Sequence, residues 1–234
     1  MDIYAEKYDN WTSYAYVKNN PIKSIDIQGD TIVNASSPGS QEYAATTNAL
    51  GVLQQTNPEE YTTLQSSTTN YDISYQADLK SDDGQALDGV TEVTYNHNSW
   101  TATATTDAKG NITGGTFGRP LNGVEQDALR AKGVDPKGQT IPVSDDDANS
   151  QIQIKGDVII KLNSSLLSDP KQLTVTLAHE FGHGAFAQLH AAVSKLWGLI
   201  GKASALGHDK NNPSGKRAIE EAKKASDNYD NAKK

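Results

Sequence analysis

The chain has 234 residues, a formal net charge of -8 and no cysteine. The length allows one large or two small domains with a substantial core, while the acidic balance argues against a nucleic-acid partner, which needs a basic surface to neutralise phosphates. The lack of cysteine excludes disulfides, thiolate metal ligands and a cysteine nucleophile, so any metal must rest on nitrogen and oxygen.

The first segment is aromatic. Asp2-Ile3-Tyr4-Ala5-Glu6-Lys7-Tyr8 is followed by Trp11-Thr12-Ser13-Tyr14-Ala15-Tyr16-Val17-Lys18-Asn19-Asn20-Pro21 and then Ile25-Asp26-Ile27-Gln28-Gly29. Read from the residues alone, this is a strand, an Asn-Asn-Pro turn and a second short strand, too small to bury its own aromatics. The segment resembles the closing part of the Rhs (YD-repeat) core, most specifically in Tyr14 to Pro21. The resemblance implies that residues 1–30 are a remnant of the β-rich shell that encloses a variable C-terminal toxin. Such toxins act in competition between bacteria; they are made in the bacterial cytoplasm, delivered into target cells by a secretion apparatus through the Rhs core, and blocked in the producer by a cognate immunity protein. One departure is local: the family has Asp-Pro at the end of this segment, and here Ile27 follows Asp26. The N-terminus has no basic and apolar signal-peptide regions, and no run approaches the roughly 18 apolar residues of a membrane span.

From Thr31 onwards the composition shifts to Ser, Thr, Asn, Gln and Gly, and residues 31–40 read as a linker. Tyr43, Ala44, Leu50, Val52 and Leu53 have helical spacing, and Asn57-Pro58 is suited to cap and open a second short helix. From Tyr71 to Phe117 the pattern becomes strand-like, with alternation at Tyr71 to Tyr75 and at Thr101 to Thr105, and a hairpin turn at Asp107 to Asn111. Asp78, Asp82, Asp83 and Asp88 lack the ligand spacing of a calcium loop, Asp145 to Asp147 read as a charged loop, and His97 reads as a turn residue. Gln151 to Ile154 and Val158 to Leu162 read as strands, and Asp169-Pro170 as the start of a helix.

That helix carries His179-Glu180-Phe181-Gly182-His183. Residues four apart share a helical face, so two imidazoles can grip one zinc ion with Glu180 beside it as a base. In this chemistry zinc lowers the pKa of a bound water and polarises a carbonyl, and the glutamate carries the proton to the leaving amine. A catalytic zinc takes three protein ligands and keeps one position open. The long metzincin signature is excluded, because Phe186 and Leu189 stand where it needs Gly and His. His190, seven residues after His183, lies about 10 Å further along the axis.

Strand, loop and metal helix in this order resemble the zincin metallopeptidases, among which a glutamate-liganded (gluzincin-like) site draws its third ligand from a later helix. Ala218, Ala222, Ala225 and Tyr229 form one stripe of the C-terminal helix. Glu221 lies at its edge and Glu220 nearly opposite, which favours Glu221 as the ligand. His208 and Asp209 are the alternatives, and Tyr229 is a candidate oxyanion donor. The usual Asn before the ligand and Asp four after it are replaced by Glu220 and Ala225. The resemblance further implies a protein or peptide substrate added in extended form to Val158 to Leu162 or the strand beside it.

The expectation is therefore an α+β fold: a zincin-like domain over 41–234, with a small mixed or antiparallel sheet, a metal-binding helix and a C-terminal helix. Residues 41–150 form its mixed helix and strand part, and 151–234 its catalytic part. The reading from another class is a non-enzymatic adhesion or shell-junction module with a structural metal or none.

Overall fold

The computed structural model describes residues 31–96, 99–110, 112–200 and 210–233; the Rhs-like segment 1–30, His97, His208 and Asp209 lie outside the described residues. The fold is α+β. In chain order come β1 (Ile32–Asn34), α1 (Gln41–Thr56), α2 (Pro58–Gln65), β2 (Tyr71–Gln76) and β3 (Gly89–Glu92). Then follow β4 (Thr101–Thr106), β5 (Ile112–Pro120), α3 (Gly123–Ala131), β6 (Thr140–Val143) and α4 (Asp145–Gln151). The last elements are β7 (Val158–Asn163), a 3-10 turn (Ser164–Ser168), α5 (Pro170–Leu189), α6 (Ala191–Ile200) and α7 (Pro213–Ala232).

The larger sheet has the order β1-β2-β7-β3, in which β1, β2 and β7 run parallel and β3 is antiparallel to β7. Alternation explains its inner face: Val158, Ile160 and Leu162 are fully buried, as are Tyr71 and Ile73 beside them. These residues meet Leu50 and Leu53 of α1, Leu64 of α2 and Leu177 and Phe181 of α5 in one core. A second, smaller core lies under the antiparallel sheet β4-β5-β6, where Phe117 packs with Ala148, Ile152, Ala192 and Leu196.

Three expectations change. The linker 31–40 contains a strand, because Ile32 finds a fully buried place beside Tyr71 when β1 pairs with β2. Asp145 to Asp147 are the first turn of α4, not a loop: Ser144 caps it by accepting from the Asp147 amide, and three carboxylates suit the positive end of the helix dipole. Gln151 therefore closes that helix, and of the expected strand Gln151 to Ile154 only an isolated bridge from Ile154 to Tyr95 remains. Finally, of the two places expected to receive an extended substrate, β7 is bonded on both sides, whereas the strand beside it, β3, is at an edge of the sheet.

The C-terminal helix α7 packs lengthwise on α5 at very short range. A Cβ at Gly182 would lie 2.6 Å from the Ala218 Cα and 3.0 Å from its nitrogen, so backbone meets backbone here. Gly182→Ala gains about 1 kcal/mol of helix propensity but must push the two helices apart. We expect a net loss of about 1–3 kcal/mol, read as a lower urea midpoint; an unchanged or higher midpoint would show that the contact is not tight. Among the described residues no helix is long and apolar enough to cross a membrane.

Candidate metal centre

Helix α5, which carries both histidines, is fixed at both ends and on most of its faces. Asp169 caps α5 by accepting from the Lys171 and Gln172 amides, Pro170 occupies the first turn, and His190 closes the helix as C-cap. Leu173, Leu177, Ala178, Phe181 and Ala185 are buried against the sheet and α1, leaving His179 and His183 partly exposed.

The two imidazoles converge. Their Nε2 atoms are 3.1 Å apart, with ring centroids 4.7 Å apart and ring planes at 87°. Zinc bound tetrahedrally by two nitrogens at 2.0–2.1 Å sets them about 3.3 Å apart, so the pair fits a zinc ion with little movement. The Nδ1 of His183 lies 2.9 Å from the hydroxyl of Ser214, at the start of α7.

Glu180, one residue on from His179, lies under the edge strand β3. It is 2 % exposed. The Thr91 hydroxyl lies 2.7 Å from its Oε2 and 3.0 Å from its carbonyl oxygen. Gly89 makes room, because a Cβ there would lie 2.8 Å from Oε1. Burial pushes the Glu180 carboxyl up to about 7, opposed by the Thr91 hydrogen bond, so the group sits where a general base can both take and give a proton near neutrality. Thr91, Gly89 and Ser214 were not singled out from the sequence. Thr91 and Gly89 carry no local signal, and Ser214 reads only as part of an Asn-Pro-Ser helix start.

Glu221 is buried and Glu220 exposed, as the stripe on α7 requires. The Glu221 carboxylate, however, is engaged elsewhere. Asn57 donates to its Oε2 at 2.7 Å and Lys224 to its Oε1 at 2.6 Å. Asn57, expected to cap α2, makes no side-chain capping bond and spends its amide on Glu221 instead. Among the described residues no three His, Asp or Glu side chains are gathered to hold a metal, so Glu221 is not brought to the two histidines. Tyr229 packs beside the Lys171 and Lys233 ammonium groups. Lys171 is two turns before His179, about 12 Å along the axis, so Tyr229 is not brought to them either. His190 is exposed, its ring 4.9 Å from that of Phe186.

Compared with protein-family models, with curated proteins and with solved structures, the chain shows no match.

Proposed function

We propose that this protein is a zinc-dependent metallopeptidase of zincin-like type, and that with its Rhs-like N-terminal segment it serves as a toxin delivered into competing bacteria. The observation that carries the reading is the convergence of the His179 and His183 Nε2 atoms at zinc-site spacing, with the buried carboxyl of Glu180 on the same helix. The donor chemistry fits: two neutral imidazoles are ordinary zinc ligands, and a third from His208, Asp209 or Glu221 leaves one position open. When bound, zinc supplies Lewis acidity that polarises a carbonyl and acidifies water.

The chain's own residues supply the rest. An extended peptide adds to the outer edge of β3, which has no strand partner on that side among the described residues. This lays the peptide along the strand whose Thr91 holds Glu180. Glu180 accepts a proton from the attacking water and returns it to the amine nitrogen as the C–N bond breaks. Thr91 keeps the carboxylate aimed through this transfer, and Gly89 lets the strand lie close above it. A protein or peptide substrate, a cognate immunity protein and a secretion apparatus are the partners this reading requires.

For the third ligand, His208 and Asp209 are favoured over Glu221. They stand six and five residues before Ser214, which contacts His183, whereas the Glu221 carboxylate already has two donors. The test is zinc stoichiometry of the full chain by competition with a chromogenic chelator. One equivalent is expected for the wild type, and a large loss for His183→Ala. Replacing His208 and Asp209 together by Ala should weaken binding more than Glu221→Ala. A wild-type chain that takes up no zinc sinks the metallopeptidase reading, and the reverse order of the last two variants restores Glu221 as ligand.

A further inference from the structure

Resting on that zinc site, we infer that Ser214 is the positioning residue of His183, fixing which of its ring nitrogens faces the metal. The hydroxyl lies 2.9 Å from Nδ1, on the side of the ring away from the Nε2 that meets His179. An imidazole binds metal through an unprotonated nitrogen, so a metal on Nε2 requires the proton on Nδ1, where it needs an acceptor. Ser214 is that acceptor.

Two independent constraints bring the hydroxyl there. Asn212 caps α7 by accepting from the Ser214 amide at 2.9 Å, which sets the first turn of the helix. Four residues on, Ala218 lies directly against Gly182, which fixes α7 lengthwise on α5, so that Ser214 falls opposite the residue after Gly182. The serine hydroxyl is not needed for the cap itself, since its residue contributes only the amide.

A hydroxyl suits the position because it both donates and accepts. Without metal, the 3.1 Å approach of the two Nε2 atoms is a hydrogen bond that needs one proton between them. When His183 supplies that proton, its Nδ1 is bare and the Ser214 hydroxyl donates to it. For zinc to bind at Nε2 that proton would pass, by exchange with solvent, to Nδ1, and the Ser214 hydroxyl would rotate to accept from it.

The experiment measures zinc affinity of the full chain by chelator competition, together with the nitrogen-15 shifts of the His183 ring. Zinc alone is the probe. Ser214→Ala is expected to weaken zinc about 10- to 100-fold, with only the small fall in metal-free melting temperature that the loss of one hydrogen bond brings. Ser214→Thr should restore the affinity, because it keeps the hydroxyl. Ser214→Asp should match or exceed the wild type, since a carboxylate accepts from Nδ1–H more strongly. In the wild-type zinc complex the His183 proton should reside on Nδ1. Equal affinity of Ser214→Ala and the wild type, or a His183 proton on Nε2 in the zinc complex, overturns the positioning role while leaving the zinc site standing. A wild type that binds no zinc overturns both, and is recognised by that result alone.

Discussion

Glu180→Gln is expected to keep its zinc and lose about 100- to 10,000-fold of hydrolytic activity, the usual worth of a positioned general base. The substitution preserves shape and lets the Thr91 hydroxyl still donate, but the amide cannot accept a proton from water. Comparing new peptide N-termini in target cells exposed to the wild type and the variant reads the loss directly. Equal cleavage and toxicity would eliminate Glu180 as the base and, with it, the peptidase reading.

The same variant makes a second measurement possible in the metal-free protein. Burial raises the folded-state value of Glu180 from 4.5 to about 7. The protonated form therefore fits the fold better. Its favourable contribution is fully present below pH 4.5 and lost as the pH rises through 7. Glu180→Gln should thus be more stable than the wild type above pH 7, by about 3 kcal/mol at most. The advantage should vanish below pH 4.5. Urea titrations at pH 4 and pH 8 in the presence of a chelator check the sign.

Arg217→Met is expected to be strongly destabilising. Glu60 is 2 % exposed, and the Arg217 Nε reaches both of its carboxylate oxygens at 3.0 and 3.1 Å. Burial already holds the Glu60 carboxyl above its usual range; Arg217 draws it down, and the nearby Glu221 charge pushes it up. Removing the guanidinium leaves a buried carboxylate beside a second one, a loss of about 3–5 kcal/mol. Because the folded-state value of Glu60 then rises further, the deficit should be complete at pH 8 and shrink towards pH 4.5 as the carboxyl accepts a proton. A deficit independent of pH would mean that Arg217 acts through packing alone.

How much of this could be read in the chain depends on how far apart the interacting residues are. The convergence of His179 and His183 was legible because it is set by a single helical turn, and the inward face of Glu221 was legible because a stripe on one helix defines it. The direction of the Glu221 carboxylate was not, because its partner Asn57 is 164 residues away. Asn57 itself looked like a helix cap, and local chemistry could not reveal the competing acceptor. β1 is three residues long, too short for alternation to show in a Ser-rich stretch. The edge position went to β3 rather than β7 for a reason no window along the chain contains, since the order β1-β2-β7-β3 threads a late strand between earlier ones.

That threading has a consequence for the order of events in time. Tyr71 pairs with Val158, and the main sheet has no continuous middle until β7 is in place. The contacts that hold α7, from Ser214 to His183 and from Asn57 to Glu221, need nearly the whole chain to be present. Pairings this distant in sequence form slowly and late. A chain emerging end-first from a ribosome therefore stays without the contacts of Ser214 to His183 and of Asn57 to Glu221 until its final helix is out.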